Sequence, residues 1–294
     1  MAAAGSPTSA ANEGPLGIVC GAGNFPIAVA DAVAKTGRPV VLVGFYGYAD
    51  PAIERFPHEW THFGAFGRLV ALLRKHNVRD VVAVGSVYRP RLKDFRLDWL
   101  TLRILPRLAK LYRGGDDHLL SGVIQLVHGL GFRMISVADV APNITVPEGV
   151  LGAHRPNADD EADIRFGHAL LRALGPFDVG QAVAVSGRRV LAIEAAEGTA
   201  GMMARLAEMR ASGKLRLAEN AGVLVKAPKP GQDRRIDLPA IGAETVQQAA
   251  KAGLRGIAVE AGGTIVPDLA AMVRAADEAR IFIAGIPPET ETKR

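Results

Sequence analysis

The stretch KAPKPGQDRRID, residues 226–237, gathers four cations, two carboxylates, two prolines and a glycine. Asp233 and Asp237 lie four apart, so they share a side whether the backbone between them is helical or extended. Two carboxylates, completed by water and a phosphorylated ligand, suit Mg2+ or Mn2+, with Asp233 and Asp237 as the metal ligands. Lys226, Lys229, Arg234 and Arg235, with Gln232 beside the acid, offer donors that offset phosphate charge through charge-assisted hydrogen bonds. Acid, divalent metal and cations form a minimal set for transfer of a phosphoryl group to water. The same residues also fit a charged hairpin tip whose ions pair with one another, at about 0–1 kcal/mol per pair.

Other short motifs point to anions. In GAGNFP, residues 21–26, Gly21 and Gly23 let the backbone approach a ligand closely, and Asn24 and Phe25 lead into a helix start with unpaired N–H groups. A phosphate or nucleotide suits that turn; a plain strand-to-helix turn is the alternative. Pro26 stands where a dinucleotide fingerprint needs its third glycine, and the next strand ends in VGFYG without the ribose-binding acid. Neither hydride transfer nor ATP chemistry is therefore supported. Gly85 and Ser86 end a later strand and would line the same sheet edge. In RGGDDHLLSG, Asp116 and Asp117 either cap the following helix or contact a sugar hydroxyl, a ribose or a metal. In EAAEGTAGMMARL, Gly198 permits a tight turn, Thr199 can cap the helix and Glu197 sits at the turn, whereas Glu194 reads as a solvent-facing strand residue.

The 294 residues leave room for two domains, and an apolar content of 49% supports a large core. One cysteine, Cys20, excludes an internal disulfide and a CxxC zinc site. The histidines show no HxH or HExxH spacing, and no GxSxG supports serine hydrolysis. No 18-residue apolar run is present, and residues 1–13 lack the basic start and apolar stretch of a signal peptide. They read as a disordered lead-in of an intracellular protein. The net charge of +5 resides in the first half, where residues 1–155 carry 17 Lys and Arg against 12 Asp and Glu. Residues 89–113 alone hold eight cations and two acids among apolar Phe95, Trp99, Leu100, Ile104 and Leu105. Such a segment is either a solvated helix face over a core-facing stripe or a contact for an anionic membrane, with nucleic acid a weaker fit. Pro106 is expected to interrupt its helix.

These motifs need a frame. Leu16–Cys20, a helix from about Pro26 to Lys35 and Val40–Phe45 form a strand-helix-strand unit whose apolar runs suit parallel strands buried on both faces. A helix over 67–76, a strand over 80–87, a helix over 117–129 and a strand within 131–142 continue it. The fold class is α/β, with an amino-terminal Rossmann-like open parallel sheet, a second mixed α/β domain and a ligand site between them. The domains run 14–143 and 161–290, joined by a Pro-, Gly- and Asp-rich linker at 144–160. The second domain begins with a helix over 160–174, then an SGR-turn hairpin at 178–198, and continues through strands AGVLVKAPK, RGIAVEAGG and RIFIAGI with helices between them.

The blocks GIVCGAGNFP, GGDDHLLS, DVGQAVAVSGRRVLAIEAAEGTAGMMAR, VKAPKPGQDRRIDLPAIGAETV and GLRGIAVEAGGTIV together resemble the LpxI family, the UDP-2,3-diacylglucosamine pyrophosphatases of lipid A synthesis. The resemblance spans roughly residues 14–290. It implies two domains with lipid held between them, and hydrolysis to UMP and 2,3-diacylglucosamine 1-phosphate (lipid X) by water attack on the sugar-side phosphate. It also implies a divalent cation and work in the cytoplasm at the inner membrane. On this chain the essential acid would be Asp233, with Asp237 the motif's second acid. Gly21, Gly23 and Asn24 would approach the uridine nucleotide, and Glu197, Gly198 and Thr199 the diphosphate. Ala200 stands where many members carry Asp, and Cys20 where alanine is common. A nucleotide-sugar transferase using the same diphosphate grip, or a non-enzymatic lipid or nucleotide carrier, are the alternatives. A homodimer is expected on general grounds.

Overall fold

The computed structural model describes residues 14–85, 96–112, 116–177, 179–218, 220–230, 232–235 and 238–288, without the side chains of 107–121. The expectations for the 1–13 lead-in, Ser86, residues 89–95 and Asp237, and for the Asp116 and Asp117 side chains, lie outside the described residues. The chain forms two units, Met1–Ala141 and Pro142–Arg294.

In the first unit, β1 (Leu16–Cys20), α1 (Phe25–Ala34), β2 (Val40–Phe45), β3 (His58–Thr61), α2 (Phe66–Lys75), β4 (Asp80–Val84), α3 (Trp99–Tyr112), α4 (Asp116–Gly129), β5 (Arg133–Met134) and α5 (Val137–Val140) follow in order. Among the described residues the strands form one parallel sheet in the order β3-β2-β1-β4-β5. Leu16, Ile18 and Cys20 are fully buried, as a central parallel strand requires. Burial pushes the Cys20 thiol up to about 12, so it is a core side chain and no nucleophile.

Three local expectations change. The edge strand β3, HEWT, is too polar to announce itself and exists through its pairing with β2. The 131–142 segment gives only a two-residue strand before Ser136 and Asp139 build a capping box for α5. α3 runs through Pro106 without a break. Proline removes one N–H, and the residue four positions earlier, Leu102, is exposed, where water can serve its carbonyl.

The second unit contains β6 (Gly149–Leu151), α6 (Ala158–Leu174), β7 (Ala182–Ser186), β8 (Arg189–Ile193), α7 (Gly198–Ala211), β9 (Val223–Lys226), α8 (Ala243–Lys251), β10 (Gly256–Glu260), α9 (Leu269–Ala279) and β11 (Phe282–Ile286). Among the described residues its sheet runs β6-β11-β10-β9-β7-β8, with β9, β10 and β11 parallel and the others antiparallel to their neighbours. Residues 144–160, read from sequence as a linker, therefore contribute an edge strand, β6, paired with β11. Strand side chains alternate between two cores. Ala182, Ala184, Leu224, Ile257 and Val259 meet α7, α8 and α9. Val183, Val185, Val223, Val225 and Ala258 meet Ile164 and Leu171 of α6. That alternation decides which way the polar residues at the strand ends point.

Candidate active site

The parallel strands β9 and β10 end in Lys226 and Glu260, an unlike pair at the carboxyl edge of the second sheet. Lys226 shares the parity of Leu224 and turns toward α7; Glu260 shares that of Ala258 and turns toward α6. Lys226 is only 7% exposed. Its ammonium donates to Thr199 Oγ1 at 2.9 Å and to the Ala240 carbonyl at 3.2 Å. An ammonium only donates, so the Thr199 hydroxyl accepts from it and keeps its own proton for Glu194 Oε1, 2.7 Å away. Glu194 Oε2 accepts from the Gln181 amide at 2.8 Å. A buried cation is thus balanced by a carboxylate through one hydroxyl.

This reverses the expectation for Glu194. Glu194 is not a solvent-facing strand residue; it anchors the relay. Glu197 is exposed and pairs with Arg205 at 2.7 Å, and its own backbone amide and Arg205 hold its carboxyl below the ordinary glutamate range. Thr199 lies inside the first turn of α7 and does not cap it, because its hydroxyl is engaged with Glu194 and Lys226. Gly198 does supply the turn, with φ of +72°.

The loop after β9 holds Asp233. Its carboxylate accepts from Arg235 Nε at 2.8 Å, from Arg235 Nη2 at 2.5 Å and from the Arg235 amide at 3.0 Å. This forked pair raises the Arg235 pKa above its ordinary value. Gln232 is buried; its side-chain carbonyl accepts from the Lys229 backbone N–H at 2.8 Å and its backbone N–H donates to the Lys229 carbonyl at 3.1 Å, so it shapes the loop. Arg234 reaches the other way, placing Nη2 2.7 Å from Glu260 Oε1. His168 Nε2, on α6, lies 3.9 Å from the other oxygen of Glu260. Burial pushes the Glu260 carboxyl up, but His168 and Arg234 outweigh it and the net displacement is downward. Sequence reading missed Glu260 and His168. The available signal was an acid closing the apolar strand GIAVE, where a parallel sheet presents its carboxyl edge.

In the first unit the glycine turn lies where the strand order reverses, between β1 and β4. The Gly21 amide donates to the Val84 carbonyl at 2.8 Å. Gly85 has φ of +97°, and a Cβ there would stand 2.7 Å from the Ala22 carbonyl oxygen. Only glycine allows the β4 end to press against the GAGN turn. Gly23 and Asn24 are exposed, Phe25 is half-buried, and Asn24 opens α1 without a side-chain cap.

Two family models cover the chain. Residues 15–144 match the LpxI N-terminal domain and residues 147–284 the LpxI C-terminal domain. The chain belongs to the LpxI family. It is 36% identical, over 93% of its length and 98% of the relative's, to the UDP-2,3-diacylglucosamine pyrophosphatase LpxI of Caulobacter vibrioides. Among solved structures, a UDP-glucose 4-epimerase from Thermus thermophilus shows 13% identity and a TM-score of 0.29, over 93% of this chain and 86% of that one. One from Stenotrophomonas maltophila shows 11% and 0.30, over 91% and 98%. Likenesses that low carry no argument. For an LpxI chain the two family domains meet at the segment before β6, near the division between the two units.

Whether an LpxI metal fits here rests on the donor set. Asp233 supplies hard carboxylate oxygens of the kind Mg2+ and Mn2+ prefer, and each already accepts from the Arg235 guanidinium. Among the described residues no cluster of three or more His, Cys, Asp or Glu could hold a metal by itself. Of the two expected ligands, Asp233 is the one among the described residues, and it is a single carboxylate held by Arg235.

Proposed function

We propose that this chain hydrolyses UDP-2,3-diacylglucosamine to 2,3-diacylglucosamine 1-phosphate (lipid X) and UMP. The observation that carries the reading is the match, along 93% of the chain, to an LpxI pyrophosphatase of that name. The site chemistry is consistent with it. Lys226, bonded to Thr199 in the first turn of α7, and Arg235, on Asp233, are cations of the kind that hold phosphate oxygens. When the diphosphate enters, its oxygens compete with Asp233 for the Arg235 guanidinium. Asp233 is then available to orient the attacking water and accept its proton. Water adds to the sugar-side phosphorus, the bond from that phosphorus to the bridging oxygen breaks, and UMP leaves with the bridging oxygen. Mg2+ or Mn2+ held by Asp233, with Asp237, would supply polarisation of the phosphoryl oxygens.

Asp233→Ala is expected to abolish UMP release while substrate still binds. Wild-type turnover by that variant overturns the reading. Release of UDP in place of UMP would indicate a transferase, and binding without any product a carrier. Treatment with EDTA is expected to stop turnover, and Mg2+ or Mn2+ to restore it; full activity after chelation removes the metal from the proposal.

The substrate is a diacylated lipid, and the reading includes work on the cytoplasmic face of the inner membrane as a peripheral protein. Support comes from α3 and its approach: Leu97, Trp99, Leu102 and Leu105 are exposed near Arg96 and Arg103. Among the described residues no helix is long and apolar enough to cross a membrane.

A further inference from the structure

We propose that Glu260 is a positioning residue for Asp233, acting through Arg234; this rests on the reading of Asp233 as the critical acid. Asp233 lies in the stretch between β9 and α8, which backbone hydrogen bonds tie down at Ala227, to Gln181, and at Pro239 and Ile241, to Ile265; among the described residues none joins the turn at Asp233 itself to the sheet. Something else must hold it. Arg235 grips the Asp233 carboxylate, but Arg235 belongs to the same turn and cannot tie that turn to the sheet. Arg234 can. Its guanidinium reaches the carboxylate of Glu260, which is 5% exposed at the end of β10 and backed by His168 on α6.

A carboxylate that deep is costly to keep charged unless it is paired, and Arg234 brings its charge to 2.7 Å from Oε1, an oxygen that no hydrogen bond satisfies among the described residues. The turn after β10 closes on the same point. A Cβ at Gly263 would stand 2.8 Å from Glu260 Oε1 and 3.1 Å from Pro228 Cγ, so that turn packs against both Glu260 and the start of the Asp233 loop. The loop is therefore clamped at Pro228 by packing and at Arg234 by charge, on either side of the Gln232 turn. The downward displacement of the Glu260 carboxyl agrees with a group kept ionised for this purpose. Misplacement of a reacting group by an ångström lowers rates by up to about 100-fold, which sets the scale of the effect.

The test measures kcat and KM for UMP release by the full chain bearing Glu260→Gln, Arg234→Gln, both together, Arg234→Lys and Asp233→Asn. Glu260→Gln keeps the volume and removes the charge. Each of Glu260→Gln and Arg234→Gln is expected to lower kcat about 10–100-fold with KM within about threefold. The double variant is expected to be no worse than the poorer single, because both remove one contact. Arg234→Lys, which keeps the cation, is expected to retain kcat within about fivefold. Arg234 is half-exposed, so its variants test the idea even if Glu260→Gln fails to fold. Wild-type kcat in Arg234→Gln, effects that multiply in the double variant, or a change confined to KM each overturn the proposal. Turnover by Asp233→Asn at the wild-type rate overturns the underlying reading instead; an inactive Asp233→Asn beside an unimpaired Arg234→Gln overturns this inference alone.

Discussion

The Thr199 hydroxyl connects a buried cation to a carboxylate five residues earlier in sequence, and each partner depends on it. Removing it leaves the Lys226 ammonium and the Glu194 carboxylate each one hydrogen bond short, about 1–3 kcal/mol for a buried polar group. Thr199→Val keeps the shape and removes the hydroxyl. Steady-state UMP release is expected to fall about 10–100-fold in kcat/KM, with Thr199→Ser within about threefold of wild type. Equal loss in Thr199→Ser would mean that the methyl group, not the hydroxyl, is what the site uses. Glu194 and Glu197 show how far residue types go by themselves. Sequence read Glu194 as a solvent-facing strand residue and Glu197 as the one at the turn, and only the direction of each side chain shows Glu194 as the relay anchor and Glu197 in a surface ion pair.

At the scale of elements, α3 carries an unusual face. Trp99, Leu102 and Leu105 recur every three residues along one side, with Trp99 79% exposed. Helix periodicity would place such a stripe in a core, yet here it is open. Transfer of each such side chain out of water is worth about 1.5–3 kcal/mol, so two of them dominate a weak surface contact. Trp99→Ser combined with Leu102→Ser is expected to weaken sedimentation with phosphatidylglycerol vesicles at least about tenfold, while activity on detergent-dispersed substrate stays within about twofold. Unchanged vesicle binding would send the membrane contact elsewhere on the chain. The basic and apolar character of residues 89–113 was legible from sequence; which apolar side chains stay open, and the survival of the helix through Pro106, were not, since both depend on where Leu102 and its neighbours face.

For the molecule as a whole, an ion triad of buried Asp80 and Arg38 with the exposed Arg133 ties the first sheet together at the edge opposite the glycine turn. Asp80, opening β4, accepts from Arg38 Nη2 at 2.5 Å and from Arg133 Nε at 2.7 Å and Nη2 at 2.9 Å, joining the β2 approach, β4 and β5. A cavity of about 540 Å3 lies beside it, lined by Arg79, His128 and Phe132 among others. Arg133 above all, and Arg38, hold the Asp80 carboxyl below its ordinary range against the opposing pull of burial. A depressed carboxyl stabilises the fold above its unfolded pKa, and that stability is lost as pH falls through the folded value. Asp80→Asn is therefore expected to lower stability by about 3 kcal/mol at neutral pH, with the gap from wild type closing below about pH 4. Thermal melts across pH check this, and a gap that does not narrow as pH falls below about 4 would assign the loss to packing.

Both domains, their strand-helix alternation and the family were readable from the chain itself, because apolar runs, glycine turns and motif spacing are properties of neighbouring residues. The polar strand β3 and the three-residue β6 were not, since a strand of that kind exists only through the partner that takes its hydrogen bonds. The same limit applied to the site. Asp233 and Lys226 stood out in one charged block, but His168 and Glu260 lie 3.9 Å apart across 92 positions of sequence. Their meeting was decided by register: a strand's side chains change face at every residue, and a slip by one would have turned Glu260 toward α7 and left Arg234 with nothing on β10 to hold.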